Sequence, residues 1–279
     1  MPFDKKRTQL IFQKLDRELG KVLTKPAPRS IHKFRTYGRR VEAVLGELTP
    51  ELHGNERKLL KALARLRRKA GCVRDLDVQI AALRELKFPQ GNGHKSQLLD
   101  ELIQKRAQRE KKLAKAFDGE AVSEIRRRLK KAARRIRIPD NADPLALALK
   151  RLTDLTRNNA PLTEKTLHQY RIVGKRARYV AELADADPEA KRVVAELKQM
   201  QDVIGDWHDW LKLTQEAERL LGGVHNSALV AMLRNVTQAK FREGLAAVSR
   251  IRSAFPQPVR SVTSTPKPIA KPAAQHAAA

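Results

Sequence analysis

Three side chains spaced three and four positions apart, His32, Arg35 and Arg39, share one face of any helix that carries them. The same pattern returns 136 residues later as His168, Arg171 and Lys175. Its surroundings return with it. Ile31-His32-Lys33-Phe34-Arg35-Thr36-Tyr37-Gly38-Arg39-Arg40-Val41 aligns with Leu167-His168-Gln169-Tyr170-Arg171-Ile172-Val173-Gly174-Lys175-Arg176-Ala177. The chemistry such rows can perform is anion binding. A guanidinium presents fixed, paired donors that match phosphate oxygens. Each row covers about two helical turns, or ~10 Å at 1.5 Å per residue, so it can meet several phosphates spaced along a chain. Like charges on one helix face repel, and a bound anion relieves that cost.

On a helical wheel Phe34, Tyr37, Val41, Val44, Leu45 and Leu48 fall opposite the first row, with Lys33 and Arg40 on a flank. In the copy, Tyr170, Val173, Ala177, Val180 and Ala184 fall opposite His168, Arg171, Lys175, Arg178 and Tyr179. A weaker match follows in the same order. Leu63, Leu66, Gly71, Arg74 and Asp75 line up with Leu197, Met200, Gly205, His208 and Asp209, now 134 residues apart. Two matches in one order point to duplicated halves, and a period this long means two related helical units rather than a solenoid.

Other chemistries fit less well. Within three residues of His32 and of His168 every charged neighbour is basic, which would repel a metal cation; no metal site is expected. They suit hydrogen-bond donation or partial protonation against phosphate. Trp207-His208-Asp209-Trp210 holds a His-Asp pair, but a metal phosphohydrolase needs more ligands than the chain offers nearby. Asp75 and Asp209 are expected to be structural, accepting from a neighbouring Arg or a helix N-terminus, and the tryptophans to be core. Gly91-Asn92-Gly93 lacks the Lys-Ser/Thr of a phosphate-binding loop. No nucleophile-base arrangement and no carboxylate cluster for magnesium is legible, so no catalytic residue is assigned.

The elements that must position these rows are helices. The 279 residues contain 41% apolar and only 4% aromatic residues, which leaves Leu, Ala, Val and Ile to fill the core. Breaks at Pro26, Pro28, Pro50, Pro89, Pro139, Pro161, Pro188 and Gly222-Gly223 divide the chain into about ten helices. Ser30, Thr49 and Thr163 supply N-cap chemistry. Residues 256–279 are rich in Pro and Ala, contain no acid, and read as a disordered basic tail. The tail adds only Arg260, Lys267 and Lys271, so most of the net charge of +27 belongs to the folded part. Such a charge favours a polyanionic partner. Arg126 to Arg137 holds eight bases in twelve residues and no acid, as a solvated face or a supplementary polyanion contact. The lone Cys72 excludes an intrachain disulfide framework. No run is long and apolar enough to span a membrane, and MPFDKKRTQL does not read as a secretory signal, so a soluble cytoplasmic protein is expected.

Four motifs in order resemble the CHAD domain, the conserved-histidine α-helical domain. They are His32-x-x-Arg35-x-x-x-Arg39-Arg40 and Val73-Arg74-Asp75-Leu76-Asp77-Val78 in one half. In the other they are His168-x-x-Arg171-x-x-x-Lys175-Arg176-x-Arg178-Tyr179 and Leu197-Lys198-x-Met200-Gln201-Asp202-x-Ile204-Gly205-x-x-His208-Asp209. The resemblance covers about residues 5–255, with halves near 5–138 and 144–255. It implies an all-α fold of two four-helix bundles, related by a pseudo-twofold, around a basic central cleft or pore. It implies binding of inorganic polyphosphate without catalysis or cofactor, and association with polyphosphate granules. Carried over by motif, the phosphate contacts are His32, Arg35, Arg39, Arg40, Arg74, His168, Arg171, Lys175, Arg176, Arg178 and Lys198. Gly38, Gly174, Phe34 and Tyr170 depart from the family's usual residues, which bears on packing more than on charge. Two other readings stay open: a general polyanion or nucleic-acid-binding protein, and a polyphosphate or triphosphate hydrolase. The scarcity of aromatics argues against stacking on single strands.

Overall fold

A computed structural model describes residues 5–88, 93–139, 141–157, 161–184 and 187–255. The expected tail and the Pro89–Asn92 break lie outside the described residues. Among the described residues there are nine α-helices and no strand, which makes the fold all-helical. They are α1 (Lys5–Thr24), α2 (Pro28–Glu47), α3 (Gly54–Glu85), α4 (His94–Ala114), α5 (Gly119–Arg135), α6 (Pro144–Thr156), α7 (Glu164–Ala181), α8 (Pro188–Leu221) and α9 (Ala228–Ala254). A 3₁₀ turn, Glu182–Ala184, follows α7 directly.

Local chemistry accounts for most of the boundaries. Asp118, Asp143, Thr163 and Asp187 each accept a first-turn backbone N–H through the side chain, and Pro144 and Pro188 stand at the first helical position. Gly222 ends α8 at φ 79°, a conformation that favours glycine. Two expected caps are corrected. Proline fixes the start of α2 at Pro28 after Ala27, so Ser30 lies inside the first turn. The third helix starts at Gly54 after His53, and the Thr49 hydroxyl donates to the Val44 carbonyl at 3.4 Å instead of capping it.

Three apolar cores hold the helices together. The first joins α1, α2, α5, the N-terminal half of α3 and the end of α4, with Phe34 edge-on to Phe117 at 5.1 Å between ring centroids. The second joins α6, α7, the N-terminal half of α8 and the C-terminal half of α9 around Tyr170, Leu197 and Trp207. A third core, unforeseen in the pattern of the sequence, joins the distal half of α3 and α4 to the distal half of α8 and the start of α9. It contains Ile80, Leu83, Leu98, Leu213 and Leu233. The two motif-bearing helices, α2 and α7, pack against each other, and α3 packs against α8. Trp207 is buried beside Phe241, and Trp210 packs on the third core, as expected of core residues.

Candidate anion-binding site

Apolar residues of α2 and α7 face their cores, so the opposite faces, with the basic rows, are left for one another and for solvent. Ile31, Phe34, Val41, Val44 and Leu45 are buried on α2; Leu167, Tyr170, Ala177 and Val180 are buried on α7. Tyr37 and Val173, placed by the wheel on the core side, are only half-buried. Between the helices lie two cavities of about 420 and 460 Å³ that share Arg39, Arg171, Lys175 and Tyr179. The first also takes His32, Arg35, Arg74 and Arg178. The second takes Arg67 and Arg176.

The structure thus brings eight of the eleven expected contacts to one groove: His32, Arg35, Arg39, Arg74, Arg171, Lys175, Arg176 and Arg178. The other three stand apart. The Arg40 guanidinium donates through Nε to Glu182 at 2.8 Å and lies over the Tyr37 ring. Lys198 is exposed on α8 and lines neither cavity. His168 is exposed, and its ring stacks on His208 with centroids 6.2 Å apart.

Burial and mutual repulsion disfavour charge in the groove. Lys175 is pushed down to about 7, first by desolvation and then by Arg171 and Arg39. Arg39 falls to about 10, again mainly by desolvation. His32 lies below its ordinary value through burial, then Arg74 and Arg35; His168 does so through burial, then His208. Both imidazoles are therefore neutral at pH 7 and available as hydrogen-bond donors. The Arg171 Nε is buried without a hydrogen-bond partner among the described residues. An anion entering the groove would stabilise each of these groups.

Sequence reasoning missed several residues that shape this groove. Arg67 lines it and pairs with Glu42, whose carboxyl is raised by desolvation. Gln201 accepts from Arg178 Nε at 2.9 Å and donates to the Gly174 carbonyl at 2.9 Å. These lie outside the two rows, on α2, α3 and α8; Gln201 stands within the fourth motif but was not assigned a contact, and no spacing rule links Glu42 and Arg67 to the rows. Asp75 and Asp209 line the cavity, together with Asp202 and Asp206, and neither is ion-paired to an arginine among the described residues. Asp75 nonetheless acts on Arg35, and Asp209 on Lys175, each favouring the charged form of its cation across the groove. Among the described residues, no group of three or more His, Cys, Asp or Glu is arranged to hold a metal ion.

The basic run on α5 divides into two parts. Arg126 pairs with Asp16, while Arg127 and Arg128 pair with Glu124. Arg134, Arg135 and Arg137 line a separate cavity of about 790 Å³ beside Leu45 and His53. No helix of the described residues is long and apolar enough to cross a membrane.

The family model of the CHAD domain matches residues 7–218. Two solved structures share the fold. The crystal structure of the CHAD domain from the plant Ricinus communis aligns with TM-score 0.63 and 17% identity, over 88% of this chain and 87% of that one. PptA from Streptomyces chartreusis aligns with TM-score 0.65 and 18% identity, over 91% of this chain and 99% of that one. No curated protein sequence matches the chain.

Proposed function

This chain belongs to the CHAD domain family, which is linked in general to polyphosphate binding, and from that premise we propose that its α2–α7 groove holds inorganic polyphosphate without turning it over. Arg35, Arg39, Arg74, Arg171, Lys175, Arg176 and Arg178 are the contacts in the groove, with His32 as a neutral donor at its edge. Arg40, His168 and Lys198 act from its periphery or through other residues. The observation that carries the proposal is the convergence of both basic rows on one groove in which Lys175 is depressed to about 7. Asp75, Asp202, Asp206 and Asp209 offset part of the positive charge, a polyanion supplies further counter-charge, and a chain with a negative charge on each repeating unit can follow both cavities. We place the protein in the cytoplasm, associated with polyphosphate granules.

A competition titration tests this. Labelled long-chain polyphosphate is bound at near-physiological salt, then displaced by short polyphosphate, duplex DNA or single-stranded RNA at equal total charge. Selective displacement by polyphosphate is expected. Equal displacement by nucleic acid would instead identify a general polyanion binder. With added magnesium, chain length is expected to stay unchanged; release of phosphate would overturn the non-catalytic assignment.

A further inference from the structure

Two of the expected phosphate contacts meet at a single buried carboxylate. Glu182, in the 3₁₀ turn after α7, is only 9% exposed. It accepts from Arg40 Nε of α2 at 2.8 Å and from Arg178 Nη1 of α7. Arg178 Nε is taken by Gln201 of α8, which is itself fixed to the Gly174 carbonyl on α7 at 2.9 Å. With Nε and Nη1 both engaged, the Arg178 Nη2 donors have no partner among the described residues, and this side chain lines the groove. Its guanidinium also lies 4.5 Å over the ring of Tyr179, a residue common to both cavities.

We propose that Glu182 is a positioning residue of the polyphosphate groove: it clamps Arg40 from one half of the chain and Arg178 from the other, and so sets the spacing of the two basic rows. The proposal rests on the function argued above. A carboxylate beside an anion-binding groove lowers the local positive potential, so on charge alone its removal should tighten binding. A clamp has the opposite consequence. Without it Arg178 loses the partner that orients its fork, and the α2 row loses its tie to α7. The Coulomb effect and the positioning effect therefore differ in sign, which makes them separable.

The experiment compares long-chain inorganic polyphosphate binding by the full chain and three variants, at several salt concentrations, with helical content checked by circular dichroism. Glu182→Gln and Glu85→Gln each add one to the net charge; Glu85 is exposed at the end of α3, away from the groove. Glu182→Asp keeps the charge and shortens the arm. Expected results are unchanged or slightly tighter binding for Glu85→Gln and about tenfold or greater weakening for Glu182→Gln. The slope of log K on log salt should also fall by about one as a cation is withdrawn from the polymer. Glu182→Asp should weaken binding in the same direction, and decides the matter if Glu182→Gln does not fold. Tightening by Glu182→Gln alongside Glu85→Gln, or wild-type affinity and slope in Glu182→Asp, would overturn the positioning role. A wild-type chain that does not bind polyphosphate would instead overturn the proposed function itself.

Discussion

The Arg35 guanidinium lies across the bare backbone of Gly71. A Cβ at Gly71 would stand 2.2 Å from Arg35 Nη1, which donates to the Arg67 carbonyl at 3.0 Å. The absence of one side chain on α3 thus seats a groove cation contributed by α2. Gly71→Ala should push that guanidinium aside. The residue is mid-helix, where Ala is favoured over Gly by up to about 1 kcal/mol, so stability should hold or rise. Polyphosphate affinity should fall several-fold. Thermal denaturation and a binding titration on the same preparation check both halves.

Removing Arg35 and Arg171 together should weaken polyphosphate binding by at least ~100-fold, since hydrogen bonds to charged groups contribute about 1.5–3 kcal/mol each. Arg127→Ala with Arg128→Ala removes the same formal charge from side chains already paired with Glu124 on α5. That pair should change affinity by less than about threefold. Titration of both double variants at one salt concentration separates a defined groove from a diffuse basic surface. Equal losses would assign binding to overall charge.

Lys175 makes binding proton-linked. Free, it titrates near 7; against polyphosphate its charged form is stabilised and its pKa rises. Above pH 7 the bound state then holds more protons than the free state. The Lys175 contribution to affinity should be flat below pH 7 and fall as pH rises from 7 towards the raised value. Calorimetry in buffers of different ionisation enthalpy should record proton uptake near pH 8, and Lys175→Met should abolish it.

The unliganded protein carries the reverse trend in stability from the same group. The folded pKa lies below the ordinary lysine value of 10.5, so between about 7 and 10.5 the unfolded chain binds more protons. This group's contribution therefore stabilises the fold as pH rises through that window and is absent as a gain below pH 7. Urea denaturation of wild type and Lys175→Met at pH 7 and pH 9 checks the sign. The variant should be the more stable of the two at pH 7, with the gap narrowing at pH 9.

Phe34 ties the first row to its core, fully buried and edge-on to Phe117. Phe34→Ala should cost about 3–5 kcal/mol in urea unfolding, through lost burial and the cavity left behind. His32→Ala, on the exposed side of the same turn, should cost little stability and act on binding instead.

Much of this was legible in local spacing. The step of 100° per residue gives a helix its faces, so the repeat of His32, Arg35 and Arg39 as His168, Arg171 and Lys175 marked two cationic faces before any packing was known. Asp187-Pro188 and Thr163 marked helix starts because capping needs only neighbours a few residues away. The third core was less visible. Ile80 and Leu83 meet Leu213 and Leu233 only after α3 and α8 have been laid side by side.

Within the groove, the amino-acid order by itself determined which cations share a face, and the family to which the chain belongs. Only the tertiary structure decided which of those cations remain available to an anion. Arg40 is an expected phosphate contact by its motif, yet it pairs with a carboxylate 142 residues away. Arg178 is half committed to Glu182 and Gln201, while Arg171 keeps a buried Nε without a partner. The reason is physical. A helix sets the direction of each side chain through its own backbone, but desolvation and pairing are set by whatever packs against that face: for Arg40 a carboxylate of the other half of the chain, for Arg178 groups of its own half.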